Sequence, residues 1–351
     1  MKILTMLCLL VFLHCQSKEQ PKSYSDATLL HHQQKEVVAF VYHRFGDDKY
    51  PSTNISLDLF EKHLAYLKSH DFKVMTFGEA YAYLNDPEIP YTKKAACITI
   101  DDGYKSFVSN GLPLLQKYGF KASIFINSES VGGGTYMDWQ ELKQIHEQGI
   151  EIGNHSHSHA YFLNTPSAQR IDFFKQDVQK CQEEINQHLG FYPDVFVYPY
   201  GEFDLEMKKA VAEMGFKAAA AQNSGIMHQC DNFAMPRYPM AGPYTKMDGF
   251  IEKANMKALR VKCDNSPSFV LQGANPPTIS IAVDSCGADL SRISCFTDGA
   301  CDIKVEGNKI SMIAKKKLDK RRTLYTLTAP AKKGNAWYWY SHLWIRPEIP
   351  E

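Results

Sequence analysis

Residues 96–103 read Ala-Cys-Ile-Thr-Ile-Asp-Asp-Gly. The first part, Ala96–Ile100, is a short apolar run of the kind found in strands that are buried on both faces of a parallel sheet. Two carboxylates and a glycine follow it directly. Because parallel barrels gather their reactive side chains at the C-terminal ends of the strands, this stretch predicts a buried strand with a functional position at its end.

The same alternation of short apolar runs with helical periodicity extends from Val37 to about Gly215. Helix starts are marked by an N-cap at Ser56 and by capping boxes that begin at Thr76 and Asp138, whereas Gly190 ends a long helix. This alternation predicts an α/β fold with a parallel sheet, and about seven strands favour a closed or nearly closed (β/α) barrel over a Greek-key sheet. The predicted strands are Val37–Tyr42, Phe72–Met75, Ala96–Ile100, Ala122–Ile126, Ile150–Ile152, Asp194–Tyr198 and Phe216–Ala221.

After about residue 257 the pattern changes to proline-containing turns and alternating strands, which predict a small all-β, sandwich-like domain. The predicted domain order is a signal peptide at 1–17, a linker at 18–36, the barrel at 37–256 and a β-rich accessory domain at 257–351. The predicted strands of the last domain are Thr278–Val283, Ile303–Val305, Lys309–Ala314, Thr323–Thr328 and Trp337–Ile345.

The N-terminus predicts export. Lys2 precedes an apolar run from Ile3 to Leu13, which is long enough for a signal peptide but too short to span a bilayer. Cys15 follows closely and would allow attachment to a membrane through a lipid, whereas the bulky residues before it and the small residues at Cys15 and Ser17 favour ordinary cleavage. We expect a protein of the periplasm or cell surface, or a secreted one.

Export changes the interpretation of the nine cysteines. Four of them fall in the last part of the chain and predict two disulfides with three open connectivities. A four-cysteine zinc site is disfavoured because CxxC pairs are absent. The four are Cys263, Cys286, Cys295 and Cys301, whereas Cys97 and Cys181 lie in apolar patterns and are predicted to be buried thiols.

The composition excludes several classes of protein. The chain has 351 residues, of which 44% are hydrophobic and 22% charged, as in an ordinary globular protein. Its 39 basic and 39 acidic residues cancel, so no broad basic surface is available for a nucleic acid partner. A zinc peptidase of the HExxH type is not indicated, because that motif is absent.

Four polar clusters directly follow predicted strands, where a barrel would form its active site. Two histidines four residues apart would share one face of a helical turn, and with one carboxylate they would hold a catalytic metal with open positions for water and substrate. Of two adjacent aspartates, one would then bind metal and the other would stay free as a base. His157, between the two histidines, is equally compatible with a solvated position. The clusters are Tyr42-His43, Asp101-Asp102-Gly103, His155-Ser156-His157-Ser158-His159 and Tyr198-Pro199-Tyr200-Gly201.

These motifs resemble those of the polysaccharide deacetylases, carbohydrate esterase family four. Thr99-Ile100-Asp101-Asp102-Gly103 is similar to the first motif, His155-Ser156-x-x-His159 to the second and Pro199-Tyr200-Gly201 to the core of the third. The resemblance covers about residues 37–256. It implies a distorted (β/α) barrel that removes acetyl groups from N-acetylglucosamine units of a polysaccharide.

The resemblance also implies roles for individual residues. Asp101 would be the general base, and Asp102, His155 and His159 would hold a divalent metal, most often zinc, with cobalt, nickel or manganese as alternatives. The backbone N–H at Tyr200 would help to hold the oxyanion.

Two features depart from the family pattern. Val197 stands where the third motif usually has an arginine, so we expect Arg237 to lie beside Asp101 and keep it ionised, the alternative being a surface arginine. The late leucine-x-histidine motif of the family has no convincing match. A Tyr-His on the first strand resembles the biofilm-polysaccharide branch of the family and implies His43 as the general acid, the alternative being a core histidine.

Two aromatic residues near the motifs, Tyr104 and Trp139, are predicted to line a sugar groove, although core packing explains Trp139 equally well. The sequence thus predicts an exported, metal-dependent N-deacetylase that acts on poly-N-acetylglucosamine or on peptidoglycan. The alternative is a carbohydrate-binding protein that kept the barrel but lost catalysis. A basic run at residues 315–322 is predicted to be a solvated turn, with contact to an anionic wall polymer as the alternative.

Overall fold

A mostly parallel sheet forms the first part of the chain in the computed structural model, which describes residues 34–262, 268–284 and 287–351. The predicted signal peptide with Cys15, nearly all of the predicted linker, Cys263 and Cys286 lie outside the described residues. The strands of this part are β1 (Glu36–Tyr42), β2 (Arg44–Phe45), β3 (Asn54–Ile55), β4 (Lys73–Met75), β5 (Ala95–Asp102), β6 (Ser123–Ile126), β7 (Glu151–Asn154), β8 (Val195–Val197), β9 (Ala218–Ala220), β10 (Ile226–His228) and β11 (Tyr238–Pro239).

All seven predicted barrel strands are present in one sheet. Its order is β10-β1-β5-β6-β7-β8-β9, with β4 beside β5 and β11 beside β1. All of these pairs are parallel except β10 with β1. The sheet curls into a half-barrel, so the distorted (β/α) barrel is confirmed in an open form.

Helices alternate with these strands, and their predicted starts are confirmed. Ser56 accepts a hydrogen bond from the Leu59 N–H, and complete capping boxes begin at Thr76 and Asp138. The helices are α1 (Leu57–Ser69), α2 (Phe77–Asn85), α3 (Leu112–Tyr118), α4 (Trp139–Glu147), α5 (Ser167–Leu189), α6 (Leu205–Glu213) and α7 (Met247–Ala254). None of the described helices is long and apolar enough to cross a membrane.

The last part of the chain forms two small sheets, as predicted. One has the order β12-β18-β17-β14 and the other β13-β16-β15, and buried side chains from both sheets share one core. The edge strand β14 was not predicted. The strands are β12 (Lys257–Ala258), β13 (Thr278–Ala282), β14 (Ser294–Phe296), β15 (Cys301–Glu306), β16 (Lys309–Ala314), β17 (Arg322–Pro330) and β18 (Trp337–Ile345).

The sandwich and the half-barrel also share a core. Leu343 and Ile345 of β18, together with Phe269, pack with Phe196 and Phe203 of the barrel. Residues 35–351 accordingly form one compact unit. The β-rich part is therefore positioned to contribute side chains to a site on the barrel.

The cysteines follow the prediction in part. Cys97 and Cys181 are free and buried, as expected. Cys295 and Cys301 form a disulfide, and Cys230, which was not among the four predicted cysteines, is also disulfide-bonded.

Candidate active site

Two adjacent aspartates at the end of β5 occupy different surroundings. Asp101 is fully buried, whereas the side chain of Asp102 is 14% exposed. Successive side chains of a strand project to opposite faces, and Asp102 has a φ of 73°, in the left-handed region, where the chain turns at Gly103. The pair therefore provides one buried carboxylate and one that faces a cleft.

Asp102, His155 and His159 form the candidate metal centre, because one ligand atom of each lies within 4.8 Å of the others. The two imidazole Nε2 atoms are 3.1 Å apart. The Asp102 Oδ1 atom is 3.6 Å from Nε2 of His155 and 3.5 Å from Nε2 of His159. A tetrahedral zinc ion with bonds of about 2.0–2.1 Å needs ligand atoms that are roughly 3.3 Å apart. The donor set and its spacing thus fit a small divalent cation.

A hydrogen bond orients the His155 imidazole toward the cluster, and burial keeps the His159 imidazole neutral. The Nδ1–H of His155 donates to the Val197 carbonyl at 2.8 Å, which leaves the Nε2 lone pair directed at the other two ligands. Burial, followed by repulsion from His155, lowers the pKa of His159 to about 4. His159 is therefore neutral near pH 7, as a ligand must be.

The segment that carries these imidazoles is not helical, in contrast to the helical turn expected from the spacing. Ser156 and His159 have φ values of 66° and 51°, and the His159 N–H donates to the Ser156 hydroxyl at 3.1 Å. Buried Asp177 of α5 accepts hydrogen bonds from two successive N–H groups of this loop, at 2.7 and 3.1 Å. A left-handed turn held by a buried carboxylate therefore brings the two imidazoles together.

Backbone strain is concentrated at the candidate site. Of the five non-glycine residues with positive φ in the described ranges, four are Asp102, Ser156, His159 and Tyr200. Such conformations cost of the order of 1–3 kcal/mol each and persist only where the surroundings impose them. The surrounding structure therefore imposes these backbone conformations, and they hold the side chains of the candidate site in a fixed geometry.

The buried aspartate is paired with Arg237. Two parallel hydrogen bonds join them, from Nη1 to Oδ1 at 2.7 Å and from Nη2 to Oδ2 at 2.9 Å. Arg237 is itself fully buried and also donates to the Thr99 hydroxyl and the Ala221 carbonyl. Burial raises the pKa of Asp101, but the Arg237 guanidinium outweighs it, and the pKa falls to about 2. The expected contact is present, and Asp101 is ionised at neutral pH.

A cleft of about 440 Å³ opens at the candidate metal centre. His43 lies in its wall, and the buried Nδ1 atom of His43 has no hydrogen-bond partner among the described residues. Asp101 lies behind this surface rather than in it. The wall includes His43, Asp102, Tyr104, Tyr136, His155, His159, Tyr200, Gln222 and Arg322.

A tight turn presents Tyr200 to this cleft. The Tyr200 ring stacks on Tyr161 with centroids 3.6 Å apart and meets the His159 ring at 4.5 Å. The following residue, Gly201, has a φ of 69°, and an added Cβ would lie 2.6–2.7 Å from atoms of Gln222. Only glycine fits this close approach between two segments of the cleft wall.

We expect Gly201→Ala to lower the free energy of unfolding by about 1–3 kcal/mol, as measured by urea denaturation, because the methyl group would press on the Gln222 backbone. Gly119→Ala is the matched control, since Gly119 has the same φ of 69° but nothing lies within 4 Å of its added Cβ. Equal losses of stability in the two variants would contradict a role for the contact.

Two sequence-predicted residues are not part of the centre. Trp139 is absent from the wall of this cleft: its ring stacks on His188 of α5 at 4.4 Å and packs against the barrel core, which favours the core-packing alternative. His157 bonds instead to Ser128 and Glu184, at 3.0 and 3.1 Å. Tyr104 does lie in the cleft wall, as expected.

Sequence reasoning missed two arginines of the basic run. Arg321 is buried and forms two hydrogen bonds of 2.7 Å with Glu202, and Arg322 lies in the cleft wall and bonds to Glu202 at 3.1 Å. The expected solvated turn is therefore wrong at these positions. The local pattern does not distinguish them from exposed lysines, because Glu202 lies 119 residues from Arg321.

Comparisons with known proteins agree with the motifs. A family model described as polysaccharide deacetylase matches residues 88–219. YxkH of Bacillus subtilis, whose name places it among the polysaccharide deacetylases, is 28% identical over 166 residues, which are 47% of this chain and 58% of YxkH. The poly-beta-1,6-N-acetyl-D-glucosamine N-deacetylase of Staphylococcus aureus is 24% identical over 231 residues, covering 61% of this chain and 79% of the relative.

Solved structures show the same fold. The deacetylase PplD of Streptococcus pyogenes has a TM-score of 0.57 at 18% identity, and the match covers 63% of this chain and 99% of the PplD chain. IcaB from Ammonifex degensii has a TM-score of 0.53 at 24% identity, and the match covers 63% of this chain and 97% of the IcaB chain. At this level of identity the structural likeness shows the fold alone. The matched segment contains the aspartate and histidine motifs, so residues 88–219 are similar to a polysaccharide deacetylase domain.

Proposed function

We propose that this protein is a metal-dependent N-deacetylase that removes acetyl groups from N-acetylglucosamine units of an extracellular or cell-wall polysaccharide. One observation carries the proposal: the Asp102, His155 and His159 cluster lies in an open cleft at the end of the strand that also carries the ionised Asp101. The name of the Staphylococcus aureus relative favours poly-N-acetylglucosamine as the first polymer to test, with peptidoglycan as the second.

Zinc is the proposed metal, with cobalt, nickel or manganese as alternatives. Two imidazoles and one carboxylate leave coordination positions open for water and substrate. When bound, the metal would supply Lewis-acid polarisation of the acetyl carbonyl and of the attacking water.

Asp101 is the proposed general base. Arg237 occupies one lone pair on each carboxylate oxygen and keeps the group ionised. The remaining lone pairs would accept the proton of an attacking water that reaches Asp101 behind the cleft wall. The backbone N–H of Tyr200 is proposed to hold the developing oxyanion, and the rings of Tyr104 and Tyr200 to contact the sugar.

His43 is the proposed general acid, which protonates the leaving amine. It lies in the same cleft wall, and its buried Nδ1 atom has no hydrogen-bond partner among the described residues, so no other side chain competes for that nitrogen.

We also propose that the protein is exported, with residues 1–17 as the signal peptide. A lipid on Cys15 would attach the protein to the membrane. The barrel at 37–256 would carry catalysis and the β-rich part at 257–351 would be accessory. The N-acetylglucosamine-containing polysaccharide outside the cell would then be the physiological substrate.

Acetate release tests the proposed function. Metal-loaded protein should release acetate from poly-N-acetylglucosamine or from peptidoglycan, and a chelator should stop the release. Binding of these polymers without any acetate release would instead identify the protein as a carbohydrate-binding relative that has lost catalysis.

We expect His43→Ala to reduce the rate of acetate release by about 10²-fold, because the leaving amine then lacks its proton donor. The midpoint of thermal unfolding should stay unchanged. Exposed His70 of the α1 C-terminus provides the control variant His70→Ala, which should leave the rate unaltered. An unchanged rate in His43→Ala would remove His43 as the acid.

A further inference from the structure

A second cleft, of about 430 Å³, adjoins the candidate active site. It shares two wall residues, Gln222 and Arg322, with the cleft at the metal centre. The remainder of its wall comes from the β-rich part of the chain, namely from β14, β17, β18 and the loops beside β14 and β17. A linear polymer that passes through the first cleft would therefore continue over this surface.

An exposed aromatic ring dominates the second cleft. Phe296 on edge strand β14 is 54% exposed and lies opposite Thr326 of β17. Its position in a cleft that adjoins the candidate active site makes this ring a candidate ligand contact. The electron-rich face of such a ring suits the weakly positive C–H groups on one face of a pyranose sugar.

Polar groups suited to sugar hydroxyls lie beside this ring. The Thr297 Oγ1 atom is buried and has no hydrogen-bond partner among the described residues. The amide of Gln222 lies at the boundary with the first cleft. The Cys295–Cys301 disulfide closes the loop that carries Phe296 and Thr297, so these groups are held in place before a ligand binds.

The charges of this cleft are already paired. Lys320 forms an ion pair with Asp298 at 2.8 Å, and Arg322 bonds to Glu202 at 3.1 Å and to Glu351. Because each cation has a carboxylate partner, the surface suits a neutral sugar better than an anionic wall polymer.

We propose that the second cleft is a sugar-binding subsite, which holds a neutral sugar of the same polysaccharide chain next to the unit being deacetylated. This inference rests on the proposed function and extends it: the β-rich part of the chain completes the substrate groove, and the enzyme prefers oligomers to short substrates. Phe296 would be the main contact and Arg322 would join the two clefts.

Phe296→Ala tests the subsite, since the side chain is exposed and its loss should not affect folding. With a pentasaccharide of β-1,6-linked N-acetylglucosamine, we expect KM to rise about tenfold at unchanged kcat, the effect of losing one aromatic stacking contact. With the monosaccharide N-acetylglucosamine, which consists only of the unit being deacetylated and has no neighbouring sugar for the second cleft, KM should not change. Tyr192→Ala is the matched control, because Tyr192 is 58% exposed and belongs to neither cleft.

Direct binding makes the test independent of turnover. The pentasaccharide should bind about tenfold more weakly to the double variant Asp101→Asn/Phe296→Ala than to Asp101→Asn alone in titration calorimetry. Equal affinities of these two variants, or equal KM changes on both substrates, would overturn the subsite. Failure of the proposed function would look different, because the wild-type protein would then release no acetate from any N-acetylglucosamine substrate.

Discussion

Asp101→Asn is expected to slow acetate release by a factor of roughly 10²–10⁴, the usual contribution of a general base. The amide has nearly the shape of the carboxylate but does not accept the proton of the attacking water. Because Asp101 is not one of the three clustered ligands, the variant should still bind one equivalent of metal. Loss of metal together with activity would reverse the roles assigned to the two aspartates.

The stability of this variant needs a control, because Asn leaves the buried Arg237 without its charge partner. The double variant Asp101→Asn/Arg237→Gln replaces the ion pair by a neutral hydrogen-bonded pair. We expect the double variant to regain most of the lost free energy of unfolding and none of the activity. Recovered activity would show that the single variant failed through misfolding rather than through loss of a base.

Arg237→Ala is expected to lower the free energy of unfolding by about 3–5 kcal/mol at pH 7, because it leaves a fully buried carboxylate without a cation. Denaturant unfolding measures this loss. Lys62→Ala is the control: Lys62 pairs with Asp58 at 2.8 Å, but both side chains are largely exposed, so its removal should have little effect. A similarly small effect for Arg237→Ala would contradict the buried ion pair.

Much of the fold was predictable because it depends on local patterns. The Ala96–Ile100 run is short and rich in β-branched residues, which favours a buried strand over a helix. The capping boxes at Thr76 and Asp138 set helix starts through contacts three residues apart. The contact between Arg237 and Asp101 was expected from the resemblance, because Val197 stands where the family has its arginine, and the folded chain decides against the surface alternative.

The features of the site that the sequence did not predict depend on contacts between segments that are far apart in the chain. Trp139 lies on the apolar side of α4, and only the position of His188 shows that it packs inward. Arg322 belongs to a run of basic residues, and only the folded chain brings it to Glu202 and the cleft. The spacing of His155 and His159 predicted a helical turn. The imidazoles are instead brought together by a loop in which Ser156 and His159 have left-handed backbone conformations, and sequence periodicity does not reveal such conformations.

Zinc titration of metal-stripped protein, followed by acetate release from poly-N-acetylglucosamine, tests the central claim most directly. We predict that release rises from zero to a plateau at one zinc ion per chain, and that His159→Ala neither binds zinc tightly nor releases acetate. Full activity of the metal-stripped protein, or undiminished zinc binding by His159→Ala, would contradict a single catalytic ion held by Asp102, His155 and His159.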